Sequence, residues 1–228
     1  MTILALECAA KAAGAAVLHD GTCVSECFAA SGRTHSETLI PLTQAALSAA
    51  GITCEEVDAF AITAGPGSFT GVRIGIAAVK GMALPLDKPC AAVSSLEAAA
   101  YNMLGRDCLV LPIMDARCQQ VYAALFRVRG ARLERLMPDS AIKINDLTEK
   151  LRDYNEPLVC VGDGSELMTG LLDNITMAPE HLRLPRAFGT ALCAYHTQQF
   201  VTVGELLPVY LRIPQAERIL QNQGIIKL

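Results

Sequence analysis

Ala64-Gly65-Pro66-Gly67-Ser68-Phe69-Thr70-Gly71-Val72-Arg73-Ile74-Gly75 is the stretch on which the fold turns. An apolar run, Val57 to Ile62, precedes it and reads as a buried strand. Ile74-Gly75-Ile76-Ala77-Ala78-Val79-Lys80-Gly81 follows and reads as a helix. A strand, a glycine-rich turn and a helix start can together hold a phosphate, because free backbone N–H groups and the helix dipole converge there. No Gly-Lys-Ser/Thr closes the stretch, so it is not a P-loop, and glycines at 65, 67, 71 and 75 miss the dinucleotide-binding spacing. The same glycines also suit a tight turn and close helix packing. The turn alone does not choose between these uses.

A repeat decides the architecture. Gly162-Asp163-Gly164-Ser165 matches Gly65-Pro66-Gly67-Ser68 in form, 97 positions later. Ile3 to Leu6 is a short apolar strand ending in Glu7, and Cys108 to Met114 is another ending in Asp115, 108 positions on. At that offset Ala15-Ala16-Val17-Leu18 falls opposite Ala123-Ala124-Leu125-Phe126. The hairpin signal Asp20-Gly21, followed by a strand from Thr22 to Ala29, has its counterpart in Arg129-Gly130 and Arg132 to Met137. Leu39, Ile40, Leu42, Ala45, Ala46, Leu47, Ala49 and Ala50 have helical spacing closed by Gly51, and Pro41 either kinks the first turn or delays it. Ile144 to Arg152 is the matching helix and Leu158 to Val161 the matching buried strand. Pro85 and Pro89 close the helix after the first glycine turn, Ala91 to Val93 is a short strand, and Ser94 or Ser95 caps a helix through Met103. The chain therefore reads as α/β, a duplicated βββαβα unit in two lobes. Residues 1–97 form the first lobe, completed by a helix near 190–200; 98–186 form a degenerate second lobe; 187–228 are the return helix and C-terminal tail.

Composition narrows the function. The 228 residues are 52% hydrophobic but only 5% aromatic with no Trp, so Ala, Leu, Val and Ile must fill the core and helices can approach closely. A net charge of −4 gives no clustered cations for gripping nucleic acid. Nine cysteines, an odd number without Cys-x-x-Cys or zinc spacing, read as reduced and mostly buried thiols in a cytoplasmic protein. The N-terminus meets Glu7 without a basic region, unlike a signal peptide, and no uninterrupted apolar run approaches a membrane span.

A duplicated βββαβα unit with acids ending the first strand of each copy resembles the actin, Hsp70 and sugar-kinase superfamily, which is RNase H-like. The resemblance implies lobes that clasp ATP, acids that hold magnesium-bound water and glycine turns that cradle phosphates. The run Gly65 to Gly75 closely resembles the signature of the TsaB (YeaZ) family. So do His35-Ser36-Glu37, Asp115-Ala116-Arg117 leading to Val121-Tyr122, and Pro208-Val209-Tyr210-Leu211-Arg212. This implies a bacterial protein needed for threonylcarbamoyladenosine in tRNA, at the adenosine beside the anticodon. In that family TsaB is not the catalyst; it pairs with the related TsaD, which binds metal and nucleotide and transfers the threonylcarbamoyl group, and the ATPase TsaE joins them. By the same resemblance tRNA is reached only through the complex, and a similar homodimer forms when the partner is absent.

The residues favour a partner over an enzyme. TsaD carries two His one helical turn apart, whereas here His35 is followed by Leu39, Glu37 is a poor substitute, and His19, His181 and His196 lie in unrelated elements, so no metal is expected. Glu7-Cys8 stands where the superfamily has Asp followed by Thr or Ser, and Cys8 lacks a hydroxyl to meet a phosphate. Asp115 persists beside Ala116 and Arg117, and Asp163 would repel a phosphate. Glu7, Gly65, Gly67, Ser68, Asp115, Gly162 and Gly164 thus read as vestiges of a nucleotide site, with nucleotide expected only in the complex and no cofactor in the isolated chain. Ser68 and Thr70 lack a neighbouring base and read as helix caps; no residue is assigned as catalytic. Gly71, Gly75 and Ala78, with His35, Leu39, Leu42 and Ala46 on the preceding helix, are expected to present a partner-binding face. Glycine inside a helix costs about 1 kcal/mol relative to Ala and needs a reason. The alternatives are an active ATP-dependent kinase or metallo-peptidase of the same fold, or a nucleic-acid-binding module.

Overall fold

The computed structural model describes residues 1–212. β1 (Thr2–Glu7), β2 (Ala13–His19) and β3 (Thr22–Ala29) form an antiparallel meander. β4 (Ala59–Gly65) then lies parallel to β1, and β5 (Cys90–Ser94) parallel to β4. The sheet order is β3-β2-β1-β4-β5. β6 (Cys108–Asp115), β7 (Gln120–Arg129), β8 (Arg132–Lys143), β9 (Leu158–Val161) and β10 (Ile175–Met177) repeat it as β10-β9-β6-β7-β8. Glu7 pairs with Gly14 and Asp115 with Val121 at equivalent strand ends. The duplicated two-lobed α/β architecture expected from the sequence is the one observed.

Strand alternation explains the layers. Leu4 and Leu6 face α1 (His35–Ala50) and α2 (Phe69–Ala83), while Ile3 and Ala5 face α6 (Ala187–Thr197). In the second sheet Val110 and Met114 meet α3 (Ser95–Ala100), and Leu109, Leu111 and Ile113 meet α4 (Ile144–Leu151). With both faces buried, the strands read as continuous apolar runs. The helices α3 and α6 pack together between the sheets. A Cβ on Gly189 of α6 would collide with the Ala98 carbonyl of α3, so a small residue there permits the close crossing.

Local chemistry sets the helix ends. Thr34 precedes α1, its N–H donating to Glu37 Oε2 at 3.2 Å, and Gly51 closes the helix at φ 70°. Pro41 lies inside α1; both it and Glu37 are exposed, so water can satisfy the carbonyl that proline leaves free. Ser94 is the N-cap of α3, accepting the Glu97 N–H at 3.1 Å. The second copy departs from the first after its glycine turn, where only a 3-10 turn, Ser165–Met168, forms and Gly170 at φ 75° follows. The short α5 (Glu180–Arg183) precedes the return to the first lobe.

α2 and the 3-10 turn after it, Phe69–Leu86, are long and apolar enough on length and composition to cross a membrane. This run includes Arg73 and Lys80, and it buries Val72, Ile76 and Val79 against the first sheet as a core helix does. All nine cysteines are free thiols, but only Cys8, Cys90, Cys160 and Cys193 are fully buried, fewer than the composition suggested. Burial pushes the Cys90 thiol up to about 11 and Cys160 up to about 12.

Glu26 on β3 anchors the return helix. Its Oε2 accepts Arg186 Nε–H and Nη2–H at 3.0 and 2.7 Å, and its Oε1 accepts the Phe188 N–H in the first turn of α6 at 3.1 Å. This contact explains why α6 starts at Ala187, earlier than the spacing suggests. Replacing Glu26 with Ala should cost about 2 kcal/mol in urea unfolding, because three charge-assisted bonds are lost. Glu26→Gln should recover part of that.

Candidate functional site

The strand ends and both glycine turns converge on a cleft of about 700 Å³ between the lobes. Ala9 to Lys11, Gly67 to Thr70, Met114 to Cys118, Asp163 and Arg212 line it. A smaller recess of about 420 Å³ at the far end of the second sheet contains none of the residues chosen from sequence. Its Arg127 is already paired with Glu156 at 2.6 Å.

Glu7 does not reach the cleft lining. Its carboxyl is fully buried, with Oε1 accepting the Ala9 N–H at 2.8 Å. Oε2 and Thr63 Oγ1 are both buried without a hydrogen-bond partner. Burial pushes the Glu7 carboxyl from 4.5 up to about 7, outweighing the lowering by the backbone of Ala9, by Thr63 and by the backbone of Ala10. Cys8 also turns away from the cleft. Its Sγ–H donates to the Gly71 carbonyl at 3.1 Å, and a Cβ on Gly75 would strike the sulfur. The sequence reading of Cys8 as a lost phosphate donor is therefore corrected: the side chain at this position packs under α2.

Several amides of the turns are paired within the chain. Ser68 N–H donates to the Ala9 carbonyl at 2.8 Å, and the Ser68 hydroxyl accepts the Gly71 N–H at 3.1 Å as the cap of α2. A Cβ on Gly67 would collide with the Ala9 carbonyl, and one on Gly65 with that of Val209. In the second turn Gly162 N–H donates to Arg183 O at 2.6 Å and Gly164 N–H to Ile113 O at 3.0 Å. Asp115 is exposed and accepts the Arg117 N–H at 2.7 Å. Asp163 is half-buried; burial raises its pKa, which nearby Lys11 opposes.

The expected partner face needs correction. Leu39, Ala46, Gly71 and Gly75 are buried, so they pack the lobe and present nothing outward. The paired glycines make the notch that admits Cys8 and the His35 ring. His35, Leu42 and Ala78 are half-buried, and burial lowers the His35 pKa against a Lys11 backbone hydrogen bond. The outward surface of these helices is instead Pro41, Ala45 and Ala49 with Thr70, Arg73, Ala77 and Gly81. Sequence reasoning took smallness for exposure; the signal it missed was the buried Cys8 directly after β1.

Phe69, Tyr210 and Arg212 went unassigned in the sequence, although the last two belong to a recognised motif. Tyr210 stacks on Phe69 with ring centroids 4.8 Å apart, and Arg73 Nε–H donates to its hydroxyl at 2.7 Å. Arg212 Nη1 donates to the Ala116 carbonyl and, at 3.4 Å, to that of Arg117. Those carbonyls belong to a loop in which Arg117, Cys118 and Gln119 are all left-handed, at φ 62°, 55° and 58°. Non-glycine residues disfavour that conformation.

Two lobes with the same sheet order, facing each other across paired strand ends, define a protein of duplicated two-lobed α/β fold. The ethanolamine utilization protein EutJ of Carboxydothermus hydrogenoformans shares the fold at TM-score 0.51 and 15% identity. The chain belongs to the TsaB family. It is 32% identical over 224 residues to the tRNA threonylcarbamoyladenosine biosynthesis protein TsaB of Bacillus subtilis, covering 95% of this chain and 96% of that one. The Escherichia coli TsaB is 30% identical over 220 residues, covering 93% and 95%. YeaZ from Pseudomonas aeruginosa superposes with TM-score 0.76 at 27% identity, over 92% of this chain and 99% of that one. Residues 29–222 match the profile of TsaD, tRNA N6-adenosine threonylcarbamoyltransferase. A transferase of that name from Jannaschia aligns at 39% identity over 98 residues, 43% of this chain and 27% of its own.

Because Glu7 holds its proton more tightly when folded, its contribution to stability is present below pH 4.5 and is lost as pH rises through about 7. Above pH 7 the penalty is about 3 kcal/mol. Glu7→Gln, whose amide can donate to Thr63, should stabilise the protein above pH 7 and flatten the melting temperature between pH 4.5 and 7. An unchanged pH profile in Glu7→Gln would show that another group sets it.

Proposed function

We propose that this chain is a non-catalytic subunit required for forming threonylcarbamoyladenosine in tRNA, working in the cytoplasm. In this reading it heterodimerises with TsaD and activates it, TsaE completes a ternary assembly, and tRNA is reached only through the complex. The observation that carries the reading is the fate of the turn amides. Ser68, Gly162 and Gly164 donate their N–H groups to carbonyls of this chain, so they are not free to cradle a phosphate. The burial of Glu7 supports the same reading, since a carboxyl sealed beneath Ala9 is badly placed to hold magnesium-bound water. His35 packs against Gly71 with Leu39 one turn on, which offers no second imidazole for a metal.

The partner surface, in this proposal, is the outer side of α1 and α2. Ala45 and Ala49 share a side of α1, and Ala77 and Gly81 are one turn apart on α2, small enough for two partner helices to pack closely. The same side would join two copies of this chain when TsaD is absent. Reconstituted tRNA modification should fall sharply when this protein is omitted; a TsaD that works equally well alone would remove the assigned role. Ala77→Arg, at an exposed site, should abolish co-purification with TsaD while leaving far-UV circular dichroism unchanged. Gly75→Arg should unfold the protein, because the site is filled by Cys8. Titration of the isolated chain with magnesium ATP should show no low-micromolar binding.

A further inference from the structure

Pro208-Val209-Tyr210-Leu211-Arg212 is a sequence motif that the partner role leaves unused. Leu206 just before it is fully buried in the core of the first lobe. Val209 N–H donates to the Ala64 carbonyl at 2.7 Å, at the start of the first glycine turn. Tyr210 closes on Phe69 and Arg73 at the first turn of α2, with the Arg73 guanidinium 5.5 Å from its ring centroid. Leu211 packs against the apolar cluster in which Ala10 of the first lobe meets Met114, Ala116 and Tyr122 of the second. Arg212 then binds the carbonyls of Ala116 and Arg117, on the opposite wall of the cleft.

The segment 206–212 thus leaves one core, runs along the cleft and docks on the other lobe. In a two-lobed fold, a ligand closes the lobes only by binding the closed state more tightly than the open one. Here that bridging work is covalently attached. We propose that residues 206–212 are an intramolecular clamp, standing in for a cleft ligand and holding the lobes closed whether or not anything is bound. The clamp acts at the cleft, opposite the joint made by α3 and α6. Gly65 fits this use, since its missing side chain makes room for the Val209 carbonyl. The left-handed turn at Arg117 to Gln119 fits it too, because Arg212 occupies two carbonyls of that loop.

Hydrogen exchange and small-angle X-ray scattering on the full chain test the clamp. Arg212→Ala should raise amide exchange across residues 114–120 about tenfold, as expected for losing a charged hydrogen bond, and should enlarge the radius of gyration. Exchange in α6 should stay unchanged and so report an intact fold. Tyr210→Phe keeps the stacked ring and should loosen only the first turn of α2. Magnesium ATP at millimolar concentration should leave the wild-type scattering curve unaltered. Wild-type exchange at residues 114–120 in a folded Arg212→Ala would overturn the proposal, as would wild-type protein that contracts on adding nucleotide. Should Arg212→Ala fail to fold, Arg212→Lys keeps one donor and carries the test: intermediate exchange supports the clamp, and wild-type exchange counts against it.

Discussion

The Ala98 carbonyl on α3 lies where a side chain on residue 189 of α6 would stand, and this contact sets how near the two sheets can come. Each sheet sends one helix across to the other, and the contact sets Ala98 to Ala100 of α3 against Gly189, Ala191 and Ala194 of α6. A bulkier pair would push the sheets apart and open the strand ends from which the cleft is made. Larger side chains of this layer, Tyr101, Phe188 and Tyr195, pack around the small-residue contact. Close packing in the middle layer therefore precedes everything the cleft can do.

At the cleft, several amides of the two glycine turns are paired within the chain. A glycine turn attracts an anion only while its amides are unpaired. Ala9, Ile113 and Arg183 supply carbonyls to those amides, and Val209 fills the space that Gly65 keeps open. The acid of the first strand meets the same fate by burial. Glu7 has lost its solvent, and desolvation rather than a charged neighbour dominates its raised pKa.

The architecture was legible because it rests on order and periodicity. Two acids, two hairpin signals and two glycine turns recur at nearly constant offsets, and continuous apolar runs place the buried strands. The missing second long helix was not legible, since it depends on where the chain turns after Gly170. Side-chain direction was harder still. Gly71 and Gly75 are one turn apart on α2, a spacing equally suited to an outside partner or an inside one. Only the position of Cys8 decides between them, and sequence separation hides that contact. Arg212 reaches carbonyls 95 and 96 positions earlier, and no local pattern announces such a contact.

Glu26 and the start of α6 are separated by 162 positions, yet they complete one lobe. The inner face of the first sheet, with Ile3, Ala5, Leu18 and Ala61, is only partly covered by Ala98 and Tyr101 until Ala191 and Leu192 have been synthesised. On a ribosome the first lobe is thus begun first and finished last, with the entire second lobe emerging in between. Its contacts are among the most distant in the chain, which favours slow closure and a long-lived apolar face during synthesis.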